Sequence, residues 1–205
     1  MASLEVAPAM SRPPVSILIR TRNRPQLLAE ALASVAAQTM PGLEVVVVND
    51  GGCDVGELLA RPHGAIATFQ YIHWPDGRGR SHAANALLEA AQGECLLFLD
   101  DDDWLDAAHI GRLWQRLQHH PQAVAAYADV ACVRRDASQV WQTVRVFAEP
   151  FDVLRLAYEN FLPIHAVLFR REVVSAGCRF DPELDVYEDW AFWLQLARPG
   201  EFVHQ

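Results

Sequence analysis

Cys95-Leu96-Leu97-Phe98-Leu99-Asp100-Asp101-Asp102-Asp103-Trp104 is the stretch on which the fold turns. Its five opening apolar residues suit a strand buried on both faces of a parallel sheet. Four carboxylates follow where such a strand ends. In open α/β sheets, ligands occupy the crevice beyond the carboxyl ends of the strands. Neighbouring carboxylates repel by about 1 kcal/mol per pair in water, and by more where water is scarce. A divalent cation relieves that repulsion, and oxygen-only ligands favour Mg²⁺, Mn²⁺ or Ca²⁺. A solvated acidic loop, with Asp106 capping the next helix, is the alternative that this stretch alone leaves open.

Upstream of it, Gln92-Gly93-Glu94 reads as a turn and His82–Ala91 as a helix carrying Leu87, Leu88 and Ala91 on an apolar face. Asp76-Gly77-Arg78-Gly79-Arg80-Ser81 is a flexible basic loop with Ser81 as N-cap. Glycines and arginines at a helix N-terminus suit an anion such as pyrophosphate. Asn85, a mediocre helix former, sits inside the helix. Ala65–Ile72 and Leu43–Val48 read as further strands, the latter apolar apart from Glu44 and ending at Asn49-Asp50-Gly51-Gly52. An acid at such a strand end can bind a nucleoside, as in dinucleotide-binding folds, or form a turn. Val15-Ser16-Ile17-Leu18-Ile19 is the first strand, followed by Arg20-Thr21-Arg22-Asn23-Arg24-Pro25 and a helix with Leu27, Leu28, Ala31, Leu32 and Val35 on one face. Residues 1–14 read as a disordered lead-in.

Downstream, Ile110, Leu113, Trp114 and Leu117 recur at helical spacing, and Pro121 ends that helix. Ala123–Val133 and Gln139–Phe147 read as an antiparallel pair joined through residues 134–138. A short helix over Phe151–Tyr158 and a strand over Ile164–Phe169 follow. Trp190–Ala197 is the last helix, with Glu188 and Asp189 at its start, where dipole and free amides stabilise a carboxylate. Phe202-Val203-His204 begins a strand, so the chain reads as one domain over residues 15–205 that is truncated at its C-terminus. Repeated strand–helix alternation implies a mostly parallel α/β sheet flanked by helices, with a small antiparallel part in the second half. Thr21, Asp50, the arginine loop and the acid tetrad then gather along one sheet edge.

Composition narrows the function. The net charge of −9 disfavours a nucleic-acid partner. All seventeen basic residues are arginine, which excludes the lysine of a P-loop. Cys53, Cys95, Cys132 and Cys178 show no metal-ligand spacing and read as reduced thiols of a cytoplasmic protein. No apolar run approaches the length of a transmembrane segment, which leaves open peripheral association with the inner face of the membrane or attachment through a partner.

Taken together, these motifs resemble those of the family 2 glycosyltransferases, nucleotide-sugar enzymes of the GT-A fold with a Rossmann-like sheet. Val15–Pro25 is similar to their first strand and turn, although Arg20 stands where proline is common. Val46–Gly52 resembles the motif whose aspartate, here Asp50, binds the donor base. Gly79–Asn85 is similar to their glycine-to-asparagine segment, with Ala84 in place of an arginine and Arg78 or Arg80 left to supply charge. Leu99–Asp103 resembles the D-x-D motif and its trailing acid, and Glu188-Asp189-Trp190 the later E-D motif. The resemblance implies Thr21, Asn23, Asp50, Arg78, Arg80, Asn85, Asp100 and Asp101 as nucleotide-binding. It also implies Asp100 and Asp102 at a Mn²⁺ or Mg²⁺ ion, and Asp189 as catalytic base. Asp103, Trp104, His165, Glu188 and Trp190 are candidates for the sugar or acceptor pocket, with core packing the alternative for the tryptophans. His204 is placed where some GT-A enzymes take a further metal ligand.

The implied reaction transfers a sugar from a nucleotide donor, UDP-sugar favoured, to a hydroxyl of a glycan or lipid-linked acceptor with inversion, in polysaccharide or glycoconjugate synthesis. A cation neutralises the departing diphosphate and a carboxylate takes the acceptor proton. A non-catalytic nucleotide-sugar-binding domain is the first rival. A Mg²⁺-dependent phosphatase, which needs a later lysine or its equivalent, is the second.

Overall fold

The computed structural model describes residues 12–60, 64–184, 186–198 and 200–205. Most of the expected lead-in lies outside the described residues. The end of the lead-in is held: the Glu94 and Cys95 amides donate to the Pro13 and Pro14 carbonyls at 3.0 and 3.1 Å.

In the first half, β1 (Val15–Thr21) leads through α1 (Pro25–Ala36) to β2 (Leu43–Asp50). A short α2 (Gly56–Leu59) precedes β3 (Ile66–Trp74), and α3 (Arg80–Ala90) precedes β4 (Cys95–Asp100). After α4 (His109–His119) come β5 (Ala123–Tyr127), β6 (Val130–Arg135) and β7 (Trp141–Phe147). The chain continues through α5 (Val153–Leu156), a 3₁₀ turn at Ile164–Ala166, β8 (Val167–Arg170) and α6 (Glu172–Ser175). It ends with α7 (Glu188–Leu196) and β9 (Glu201–His204). The main sheet runs β3-β2-β1-β4-β8-β5-β9, with only β8 reversed, while β6 and β7 form a separate antiparallel pair. This is the mostly parallel α/β sheet with a small antiparallel part that the strand–helix alternation implies.

The two-residue period of a strand sorts the side chains into two cores. Val15, Ile17, Ile19, Val45, Val47, Leu97 and Leu99 pack on one face with Leu28, Leu32 and Val35 of α1 and Ile110, Leu113 and Leu117 of α4. Leu18, Val46, Val48, Leu96 and Phe98 pack on the other with Ala83, Leu87 and Leu88 of α3 and Phe192, Trp193 and Leu196 of α7. A helix can cover either face because the inner strands are buried throughout. Glu44, the acid that interrupts β2, is buried but satisfied: it accepts from Ser16 Oγ, from Gln70 Nε2 at 2.8 Å and from the Gln92 amide at 2.8 Å.

Three local expectations are corrected. Ala123–Val133 is not one strand: it breaks at Ala128-Asp129, so the small, buried residues of β5 join the main sheet and only the more exposed β6 pairs with β7. Ile164–Ala166 is a 3₁₀ turn, and strand begins only at Val167. Ser81 does not cap α3, which starts at Arg80 after Gly79 at φ 101°; its hydroxyl donates instead to the Leu184 carbonyl at 3.2 Å.

Candidate active site

The same strand period decides which polar residues meet at the carboxyl edge. Arg20, Asp50 and Asp100 lie two residues beyond Leu18, Val48 and Phe98, on the face covered by α3 and α7. Thr21 and Asp101 fall on the opposite face. Parallel pairing places Arg20 beside Asp100 in register. Arg20, Thr21, Asp50, Arg80, Asp100 and Asp102 line one cleft of about 420 Å³, which Arg22, Arg24, Gly79, Ala83 and Asp101 complete.

Each acid of the tetrad has a partner, and Arg24 serves two of them. Arg20 donates Nε and Nη2 to Asp100 Oδ1 at 3.2 and 3.0 Å, and Nη1 to Glu188 Oε1 at 3.0 Å. Asp101 turns inward, where it is 5% exposed; it accepts from Thr21 Oγ1 at 2.7 Å and from Arg24 Nη1 at 3.2 Å. Burial raises the Asp101 carboxyl above its usual range, against the pull of Thr21 and Arg24. Its geometry is that of a brace between β4 and the β1 turn. Arg24 also reaches Asp102 Oδ2 at 3.0 Å. Asp103 Oδ2 lies 2.9 Å from His165 Nδ1, a close polar contact outside hydrogen-bond geometry. His165 is therefore set against the tetrad, with its carbonyl 3.2 Å from His109 Nε2.

Asp100, Asp102 and Asp103 each offer a carboxylate oxygen, and these atoms lie within 4.8 Å of one another. Among the described residues, each of the three has one oxygen engaged by Arg20, Arg24 or His165 and the other without a protein partner. Three hard oxygen donors converging in this way fit Mg²⁺ or Mn²⁺. His204 is not among them; it pairs with Asp129 at 2.7 Å and stacks on Tyr127.

Asp50 holds the arginine loop, accepting from the Arg78 and Gly79 amides at 2.6 and 3.0 Å. The loop thereby projects Arg80 to Glu188 Oε1 at 3.1 Å, while Arg78 lies over the Trp74 ring. Two of the expected nucleotide ligands have side chains engaged with backbone. Asn85 forms a reciprocal pair with the Phe180 backbone, both bonds at 2.9 Å, which tethers α3 to the loop before α7. Asn23, at φ 56°, accepts from the Cys53 amide at 3.2 Å and braces the β1 and β2 turns against each other. That brace needs Gly52, at φ 90°, where a Cβ would lie 1.9 Å from Asn23 Oδ1. Gly52→Ala is expected to cost about 2 kcal/mol, read as a fall in Tm of about 6 °C; an unshifted melting curve would contradict the brace.

Asp189 opens α7 beside Glu188, with Oδ1 on its own Trp190 amide at 2.8 Å and Oδ2 accepting from Asn160 Nδ2 at 3.1 Å. Burial raises its carboxyl above the usual range; the Trp190 amide, Asn160 and the Arg20 cation oppose that shift and Glu188 adds to it. Trp190 is anchored by its indole N–H on the Leu156 carbonyl at 2.6 Å. Trp104 is 47% exposed and lies 5.3 Å, ring to ring, from Trp141 of β7. Arg20, Arg24, Asn160 and Trp141 are the participants that sequence reading passed over. Arg20 had a signal: an arginine directly after a buried apolar strand persists only beside carboxylates.

A GT-A-type α/β sheet with an arginine-braced carboxylate cleft at its edge defines the class of this protein. The family model described as glycosyl transferase family 2 matches residues 16–177, and the chain belongs to that family. It is 27% identical over 190 residues to the uncharacterized glycosyltransferase YwdF of Bacillus subtilis, covering 90% of this chain and 68% of YwdF. Among solved structures it resembles S. aureus TarS 1-349 in complex with UDP-GlcNAc (TM-score 0.70, 20% identity, 93% of this chain and 58% of TarS 1-349). It also resembles the Pyrobaculum calidifontis mannosyltransferase PcManGT in complex with GDP-Man and Mn²⁺ (TM-score 0.67, 21% identity, 98% of this chain and 57% of PcManGT). The chain thus spans little more than half the length of either solved structure. No helix among the described residues is long and apolar enough to cross a membrane.

Proposed function

We propose that residues 15–205 act as a single catalytic domain that moves a sugar from a nucleoside-diphosphate donor to a hydroxyl acceptor, with inversion and with Mn²⁺ or Mg²⁺. The observation that carries this reading is the convergence of Asp100, Asp102 and Asp103 in a cleft tied through Arg20 to the helix that bears Asp189. The UDP-GlcNAc of TarS and the GDP-Man and Mn²⁺ of PcManGT support a nucleotide-sugar donor and a divalent cation. UDP is the favoured nucleotide, and a glycan or lipid-linked hydroxyl at the inner face of the membrane the favoured acceptor.

A bound divalent cation would supply positive charge to the departing diphosphate. Asp100, Asp102 and Asp103 would hold it. Arg22 and Arg80, on the cleft wall, add fixed positive charge beside the diphosphate. Asp50 keeps the Arg78–Gly79 backbone in place, and with it Arg80. Asp189 takes the proton of the acceptor hydroxyl as its oxygen attacks the anomeric carbon, from the side opposite the diphosphate. Trp104, half exposed next to Asp103, offers a face on which an acceptor sugar can stack.

Thermal shift against UDP and GDP, each with and without Mn²⁺, tests the donor, with UDP plus Mn²⁺ expected to raise Tm most. No shift with any nucleotide would exclude the reading. The pH profile tests the base. A raised Asp189 carboxyl places the acid limb of kcat/KM above the ordinary carboxylate value of about 4. Asn160 favours the charged form by donating to it, so Asn160→Ala removes that support and is expected to move the limb further up in pH. A limb that stays put or moves down would detach Asp189 from the proton transfer.

A further inference from the structure

Arg20 is 8% exposed, and its guanidinium spans two carboxylates from distant parts of the chain. Two of its nitrogens converge on one oxygen of Asp100, an acid of the trio whose other oxygen has no protein partner among the described residues. Its third nitrogen holds Oε1 of Glu188, which is 3% exposed and receives Arg80 on the same oxygen at 3.1 Å. The result is a chain of alternating charge, Asp100–Arg20–Glu188–Arg80, running from the trio to the first turn of α7. A cation held by the trio would share Asp100 with a fixed guanidinium, and like charges at such range repel. An anion between them relieves that repulsion.

We propose that Arg20 is a positioning residue that keeps the divalent-cation affinity of the nucleotide-free cleft low, so that cation and nucleoside diphosphate bind together rather than separately. Arg20 orients Asp100 for the ion while opposing the ion's charge; the diphosphate, by adding negative charge, removes the opposition. Glu188 tunes the effect by drawing the guanidinium toward α7 and away from Asp100. By linkage, whatever factor UDP adds to Mn²⁺ affinity, Mn²⁺ adds to UDP affinity. The inference rests on the reading of the trio as a cation site.

Titration of the whole chain with Mn²⁺, following the electron paramagnetic resonance signal of the free ion with and without UDP, tests both. In the wild type, UDP is expected to tighten Mn²⁺ at least about tenfold, the scale of a unit charge a few ångström away in a solvated cleft. Arg20→Met, matched in length but uncharged, is expected to tighten Mn²⁺ in the absence of UDP about tenfold and to shrink the UDP effect. Glu188→Gln is expected to loosen it about threefold, because the guanidinium then rests wholly on Asp100. A merely structural arginine would give the opposite sign, with Arg20→Met weakening Mn²⁺ and UDP together. Unchanged or weaker Mn²⁺ binding by a folded Arg20→Met protein overturns the inference and leaves the cation site standing. Should that variant fail to fold, unchanged Mn²⁺ affinity in Glu188→Gln overturns it instead. Absence of Mn²⁺ binding by the wild type, with or without UDP, overturns the cation site and the inference with it.

Discussion

Replacing Asp189 with asparagine is expected to lower kcat for sugar transfer by about a thousandfold while leaving UDP affinity within about twofold, the scale set by loss of a general base. An acceptor hydroxyl is a poor nucleophile until its proton leaves, and an amide cannot take that proton. Asp189 is held for the task by the Trp190 amide on one oxygen and Asn160 on the other. The substitution nearly preserves shape, so the Trp190 contact survives. The new amide would face the Asn160 amide, and Asn160 cannot flip without giving up the Leu162 amide that its own oxygen accepts at 3.2 Å. A stability loss of about 1 kcal/mol is therefore expected alongside the loss of rate. Initial rates with a UDP-sugar, paired with UDP titration and a melting curve, separate the two. Transfer at wild-type rate would remove Asp189 from the chemistry.

Chelation with EDTA is expected to abolish transfer, with added Mn²⁺ restoring it, and Asp102→Asn is expected to cut kcat/KM by about a hundredfold, or about 2.7 kcal/mol of transition-state stabilisation. Asp102 is the informative member of the trio because it is exposed and its one side-chain partner among the described residues is the half-exposed Arg24. Its loss should leave Tm nearly unchanged, since exposed ion pairs of this kind contribute little to stability. Asp106→Asn is the control: it alters a neighbouring acid outside the trio, whose carboxylate accepts from the Ala108 amide. Full turnover in EDTA, or equal effects of Asp102→Asn and Asp106→Asn, would argue that the cleft works without a cation.

Both expectations draw on features that were legible in the sequence to different degrees. Asp102 follows a run of apolar residues that suits a buried strand with its polar end at the sheet edge. Asp189 was readable as a helix-start acid, a role it shares with many residues that do no chemistry. Which acid of the tetrad turns inward was not readable. Asp100 and Asp101 are adjacent and chemically alike, and only the face taken by each beyond Phe98 and Leu99 separates a cleft ligand from a brace under Thr21. Asn85 is marked as a ligand only by the resemblance of its segment; its side chain makes a pair of bonds to the Phe180 backbone, 95 residues away, which no local pattern announces.

Local chemistry determined by itself the alternation of strand and helix, the parallel sheet and the acidic edge, because apolar period and turn residues act over neighbours in the chain. Tertiary structure alone decided the partners: Arg20 with Glu188 across 168 residues, Asp50 with the Arg78–Gly79 amides, His165 with Asp103. Those contacts depend on sheet order and on the face each strand presents. Charge and hydrogen bonding act through space over a few ångström, and no spacing in a linear sequence encodes which distant groups will arrive within that reach.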